Sequence, residues 1–290
     1  VTQATLFIPY QMRPEELTTS IKKQILDDIE GIPTFPTHVL ELINLCKRRD
    51  VEIKAIAEKI MQDPALSADV LKLANSAGFI TGKRIENLNE AVMTIGLKNL
   101  EALLIATSAR KILDKRYTKF EQIWEHCNRT SFYARTIASR YKLGAIIENV
   151  SLAGLLHDLG KIILLSTDLD LTNWIADLVA DRKMRTSTVL EEVSIGISHS
   201  TIGELIAEKW NLPDYLVEAI RFHHTPLAAS PQFKDQVQVT YLANMLCGVE
   251  SRKYQYYYIE ESILQRFKLS DEKVLEKFHQ DLKTLYSEQS

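Results

Sequence analysis

The chain has 290 residues, of which 46% are hydrophobic and 25% charged, enough for one large core or two modest ones in an ordinary globular balance. Its net charge of −3 gives no global pull toward nucleic acid or an anionic membrane, and no basic face stands out, so neither partner is expected. No uninterrupted apolar run approaches the roughly 20 residues that span a bilayer, and no basic-then-apolar leader opens the sequence.

Gly and Pro are scarce, at 10 and 8, and sit between segments, while helical periodicity is frequent and β-branched alternation weak. The pattern predicts an all-α protein. Residues 1–17 read as a linker or arm, and the start at Val1 fits a piece of a longer protein with a further domain upstream. A first helix is expected over Leu17–Ile29, stopped by Gly31 and Pro33. Helices over Thr37–Arg48 and Val51–Met61 follow. Asp63-Pro64 supplies an N-cap with proline at N1 for a helix bearing Leu66, Val70 and Leu73. Asn75–Arg84 reads as a loop with Gly78 and Gly82. Asn87–Glu90 has the form of a capping box, and Gly96 interrupts the helix it opens before Asn99–Leu113 continues. The polar run Asp114–Lys119 marks a boundary between two packed helical lobes, 18–115 and 118–290.

The second lobe opens with a helix over Phe120–Tyr141 that contains His126. Ser151–Leu165 reads as one helix, with Leu152, Leu155, Leu156, Leu159 and Ile163 on an apolar face. Into it the sequence sets His157, Asp158 and Lys161, polar groups that need a partner or a metal if buried. Leu169–Asp181 is amphipathic around Trp174 and Leu178, and Thr188–Glu191 suggests a second capping box, for a helix to Ile195. Helices over Ser200–Trp210, Pro213–Phe222 and Gln236–Val249 come next. Tyr254, Tyr256, Tyr257 and Tyr258 form either a contact surface or part of a segment packed back on the body, before a last helix opened by Ser270-Asp271-Glu272. The isolated cysteines Cys46, Cys127 and Cys247 have no CxxC spacing and fit reduced thiols in a cytoplasm.

Six of the seven histidines fall in the second lobe, and five of them stand at helix ends or on apolar faces: His126, His157, His199, His223 and His224. Taken singly, each reads as a structural histidine. Together with Asp158 they make a mixed imidazole and carboxylate set that suits Fe, Mn, Zn, Ni or Co rather than Ca.

The order of these residues resembles the HD superfamily of metal-dependent phosphohydrolases, in its HD-GYP branch. The matching stretches are Trp124-Glu125-His126, His157-Asp158-Leu159-Gly160-Lys161, Ser194 to His199, and Ala219 to His224. The first half instead resembles the HDOD domain, the HD-related output domain of signalling proteins. Ile32 to Pro36, Asp63 to Ser67, Leu71 to Ser76 and Ile85 to Leu97 carry that likeness, and it covers about residues 18–225. The resemblance implies a cytoplasmic bacterial regulator that works with other signalling proteins or an upstream receiver-type domain. It also implies one or two divalent ions on His126, His157, Asp158, His199, His223 and His224, with Asp158 and Lys161 at the chemistry.

Two departures from the superfamily bear on catalysis. The position of its final Asp is matched by Asn244, which brings a carbonyl but no charge. The Gly-Tyr-Pro signature of the HD-GYP branch is replaced by Thr225-Pro226-Leu227. Two readings follow: a non-catalytic helical relay with a residual metal site, or a metal-dependent phosphodiesterase acting on nucleotides.

Overall fold

The computed structural model describes residues 14–48, 50–76, 84–117, 120–167, 187–250 and 255–289. Among them every regular element is helical, as periodicity and capping require. The expected helix over Leu169–Asp181, the arm up to residue 13, Gly78, Gly82 and Tyr254 lie outside the described residues.

The first half holds α1 (Pro14–Glu30), α2 (Thr37–Cys46), α3 (Ile53–Ile60), α4 (Pro64–Ala74) and α5 (Leu88–Arg116). The first helix starts at Pro14, so the last four residues of the expected arm are its opening turn; proline at N1 loses no helical bond. The caps are those expected. Asp63 Oδ1 accepts from the Leu66 amide at 3.0 Å, and Asn87 Oδ1 accepts from the Glu90 amide at 2.8 Å. Gly96 sits at φ 74°, a left-handed conformation open to glycine, and kinks α5 where the sequence broke it.

The second half holds α6 (Glu121–Arg140), α7 (Ile147–Leu156), α8 (Leu159–Thr167), α9 (Thr188–Ile195), α10 (His199–Lys209), α11 (Asp214–Phe222), α12 (Lys234–Glu250), α13 (Glu261–Arg266) and α14 (Glu272–Gln289). The stretch expected to be one helix over Ser151–Leu165 is two, parted at His157-Asp158. The His157 side chain causes the break to persist: its Nδ1–H donates to the Gly154 carbonyl at 2.8 Å, satisfying a terminal carbonyl of α7.

Two stretches, Leu88–Arg116 and Gly144–Thr167, are long and apolar enough to cross a membrane by length and composition alone. The first is kinked at Gly96 and the second parted at His157-Asp158, and both contribute to the core.

One apolar cluster runs from Ile25 through Leu104 and Trp124 to Val237, so it joins both halves of the chain. Trp210 fastens the junction: its Nε1–H donates to the Pro33 carbonyl at 3.0 Å and its ring packs 5.0 Å from Phe35. A second cluster, from Tyr133 to Leu282, gathers α6, α12, α13 and α14. Helices α8 and α10 touch almost backbone to backbone. A Cβ on Gly160 would lie 2.0 Å from the His199 carbonyl oxygen, so only glycine lets the Asp158 turn and the His199 helix start meet.

Candidate metal centre

Four local structures deliver the donors. His126 stands in the second turn of α6. His157 caps the C-terminus of α7, and Asp158 fills the turn before α8. His199 is the first residue of α10, behind the N-cap Ser198. His223 caps the C-terminus of α11, and His224 follows it. His157 and His223 are held alike: each uses Nδ1–H on the carbonyl three residues back, at 2.8 Å for Gly154 and 2.6 Å for Ile220. His199 donates from Nδ1 to Glu191 Oε2 at 2.7 Å, and the same oxygen accepts the His199 backbone N–H at 2.8 Å.

These anchors fix the tautomers. With Nδ1 protonated, a neutral ring presents a bare Nε2 lone pair. Those lone pairs converge. His199 Nε2 lies 3.2 Å from His223 Nε2 and 3.1 Å from His224 Nε2. Asp158 Oδ1 lies 3.5 Å from His199 Nε2 and 3.4 Å from His223 Nε2. Nitrogen ligands about 2.0–2.1 Å from one ion stand about 3.0–3.4 Å from each other, so these spacings are close to what a shared ion requires. Asp158 Oδ2 turns the other way. It lies 3.4 Å from His157 Nε2 and 3.6 Å from His126 Nε2, and accepts from Lys161 Nζ at 2.7 Å. The centre is therefore two half-sites sharing one carboxylate: Asp158, His199, His223 and His224 in one, His126, His157 and Asp158 in the other.

The unsatisfied atoms show what the cluster fits. His157 Nε2, Asp158 Oδ1 and Asn244 Nδ2 are half of the six buried side-chain polar atoms without a hydrogen-bond partner among the described residues. Buried orphans of this kind are rare, and a cation in the first half-site would engage Asp158 Oδ1 while one in the second would engage His157 Nε2.

Electrostatics agrees. Burial lowers His126 to about 3 against the pull of Asp158, lowers His223 to about 4, and takes His224 well below its ordinary value. Burial opposes the charged form of His157 too, but the Asp158 carboxylate prevails and raises it to about 10. Asp158 is itself held well below its ordinary value: burial works against it, while His157 and Lys161 favour the carboxylate. His126, His223 and His224 therefore stay neutral and are ready ligands, whereas His157 keeps its proton until a cation displaces it.

All seven residues that the sequence pointed to as ligands or chemistry, beside Asn244, meet here. Asn244 Oδ1 accepts from His126 Nε2 at 3.0 Å, which puts it at the edge of the second half-site. Glu191 was not recognised. The expected capping box at Thr188–Glu191 does not form: the N-cap is Ser187, whose Oγ–H donates to Glu191 Oε1 at 2.6 Å, and the carboxylate orients His199 instead. Burial raises the Glu191 carboxyl, yet His199 and Ser187 bring it to about 2. An acidic residue eight positions before a candidate ligand was the available signal, and the capping pattern concealed it.

Comparison with known proteins bears on this geometry. The HDOD domain family profile matches residues 32–226. A protein of Treponema pallidum (strain Nichols), described as uncharacterized, is 30% identical over 98% of this chain, which spans only 55% of that relative's length. Among solved structures, an HDOD domain protein of unknown function from Geobacter sulfurreducens is 23% identical with a TM-score of 0.69, covering 89% of this chain and 90% of its own. A Shewanella amazonensis SB2B protein, provisionally described as a phosphohydrolase, is 24% identical with a TM-score of 0.66, covering 90% and 93%. A Marinobacter aquaeolei VT8 protein, provisionally described as a signal transduction protein, is 20% identical with a TM-score of 0.71, covering 93% and 63%. At these identities the solved structures establish the fold alone, whereas the profile spans about two thirds of the sequence: the chain belongs to the HDOD domain family.

Proposed function

We propose that this chain is a non-catalytic regulatory module of cytoplasmic bacterial signalling, a helical relay pinned together by one transition-metal ion. The observation that carries the reading is the closure of the centre. His157, Asp158, His199 and His223 are at most 1% exposed, which closes the half-site of three imidazoles to a phosphodiester and leaves only His126, at the edge of the other half-site, partly exposed. Lys161 already holds Asp158 Oδ2, and Asn244 supplies an amide where a second ion calls for charge. A bound Fe, Mn, Zn or Ni ion would supply a cross-link between helix ends. The residues do the rest: Glu191 and the Gly154 and Ile220 carbonyls hold the rings in register, and Lys161 balances the carboxylate. The partners are then other signalling proteins or a receiver-type domain, met by the outer surface.

The second reading, a metal-dependent phosphohydrolase of nucleotides, draws support from the Asp158 carboxylate shared between two half-sites, an arrangement suited to clamping a phosphate. One experiment separates them. Protein purified without chelator or histidine tag is analysed for metal, then assayed on bis-p-nitrophenyl phosphate and a cyclic dinucleotide. The relay reading expects about one ion per chain and no turnover above that of Asp158→Asn. Metal-dependent turnover abolished by Asp158→Asn would establish the enzyme.

A further inference from the structure

A cavity of about 500 Å³ lies in the first half of the chain, away from the histidines, between the link from α1 to α2, the N-termini of α2 and α4, and the last turns of α5. That volume is of the size that takes a small molecule. Its wall from α5 is cationic, with Lys111, Lys115 and Arg116, and His38 faces them from α2. Asp63 is the acidic member, and it is engaged: its Oδ1 accepts from the Leu66 amide and its Oδ2 lies 3.5 Å from His38. Arg116 is engaged as well, donating to the Gly31 carbonyl at 2.8 Å. Lys111 reaches Asp69 only at 3.8 Å, and Lys115 has no anionic partner among the described residues.

Two further features point inward to an anion. The first turn of α2 opens at the cavity behind Pro36 without a side-chain cap; the Val39 amide turns back to the Pro36 carbonyl at 2.9 Å, and the Thr37 and His38 amides make no backbone hydrogen bond among the described residues. Ser108, 7% exposed on α5, lines the cavity, and its hydroxyl makes no hydrogen bond to any described residue. A hydroxyl so placed lacks the i−4 carbonyl bond that Thr107, its neighbour, makes to Leu103 at 2.8 Å. The floor is apolar, made by Val39 and Leu66, with Pro33 at the rim.

We propose that this cavity is a binding site for a small organic phosphate, whose phosphate meets Lys111, Lys115 and the first turn of α2 while its apolar body rests on Val39 and Leu66. Ser108 donates to the ligand's polar edge. The site is an input separate from the histidine centre, and it stands whether or not that centre hydrolyses anything.

The test is calorimetric titration of the full chain with AMP and UMP, beside adenosine, uridine and inorganic phosphate as the separate halves of the recognition. At least one organic phosphate should bind, and at least about tenfold tighter than inorganic phosphate or its own dephosphorylated form, because charge and apolar contact act together. Lys115→Glu, an exposed change, should weaken that binding by about tenfold or more. Ser108→Ala should weaken it severalfold, and melting curves should confirm that both variants fold. The proposal is overturned if none of the organic phosphates binds, if inorganic phosphate alone binds equally well, or if Lys115→Glu binds as tightly as the native chain.

Discussion

Two polar clusters in the second half of the molecule each set histidine beside a carboxylate and come to opposite ends. In one, Glu250 closes a network between α12, α6 and α14. Its Oε1 accepts from Tyr133 Oη and from His279 Nε2, and its Oε2 accepts from Arg129. His279 Nδ1 in turn accepts from Tyr256 Oη at 2.7 Å. The four side chains each find Glu250 or a neighbour, and none of their atoms is left among the buried orphans. The histidine centre, more deeply buried, keeps an imidazole nitrogen and a carboxylate oxygen without a hydrogen-bond partner. Burial of a histidine beside a carboxylate therefore does not mark a site. Several imidazole Nε2 atoms converging on one carboxylate do, because the fold tolerates polar atoms without partners only where something else arrives to bind them.

The largest expected effect comes from opening the closed cluster. Glu250→Ala leaves Tyr133, His279 and Arg129 without their common acceptor, a loss of about 4 kcal/mol in unfolding free energy. Chelator should lower the melting temperature of this variant by as much as it lowers that of the native chain, since the two clusters are separate units. A variant that no longer responds to chelator would show the clusters to be coupled.

Next comes the open cluster. Asp158→Asn removes the one charge shared by both half-sites at little cost in volume. Metal content should fall to near zero, and with it the stabilisation that a well-populated site confers, about 3 kcal/mol at several hundred times the dissociation constant. Urea denaturation of native and variant protein, with and without chelator, reads this directly. If chelator leaves the native midpoint unmoved, the orphaned atoms are not a metal site at all.

Acid distinguishes the clusters by a smaller effect. Burial raises the Glu250 carboxyl, but hydrogen bonds from His279 and Tyr133 and the charge of Arg129 bring it to about 2, below its ordinary value. A carboxyl depressed in the folded state gives stability that is present above its unfolded pKa and is lost as pH falls through the folded one. Metal-free protein should accordingly lose stability from about pH 5 down toward pH 2, and Glu250→Gln should flatten that limb. An unchanged limb in the variant would assign the acid sensitivity to other carboxyls.

How far each cluster was legible in the sequence follows from how its parts are spaced. The helices were legible because Leu and Ile recur at helical period and because Asp63, Asn87 and Gly96 cap or break where their chemistry dictates. The histidine centre was legible through the order of His126, His157-Asp158, His199 and His223-His224, which resembles the HD superfamily, since the spacing by itself forms no local metal motif. The break at His157 was hidden, since apolar periodicity runs straight through it and only the ring's bond to Gly154 reveals the helix end. Glu191 was hidden by a capping pattern that its carboxylate does not serve. The Glu250 network left no local trace: its members stand at positions 129, 133, 250, 256 and 279, and only the packing of α6, α12 and α14 assembles them.

The finest distinction lies between the two halves of the histidine centre, and Asn244 decides it. The half-site of His199, His223 and His224 has three imidazoles around Asp158 Oδ1 and no competing cation on that oxygen. The other half offers His126 and His157 around Asp158 Oδ2, but Lys161 already sits on that oxygen at 2.7 Å and His126 is turned to the Asn244 amide at 3.0 Å. Two divalent ions would place four positive charges around a single carboxylate, and neutral imidazoles offset none of it. Asn244→Asp adds a second carboxylate at the place where the amide now stands, with almost no change of shape. It should tighten the second ion by about tenfold, a difference of about 1.4 kcal/mol, and leave the first ion unaffected. Elemental analysis and calorimetric stoichiometry at fixed free metal should then move from one ion per chain toward two. Since His126 is the partly exposed ligand, at 26% of its side chain, the second ion is also the one that water and a generic phosphodiester can reach. Hydrolysis of bis-p-nitrophenyl phosphate that appears in step with the second ion would mean that the amide at position 244 is what keeps the centre silent. Two ions bound without hydrolysis would instead place the silence in the closure of the helices around Asp158.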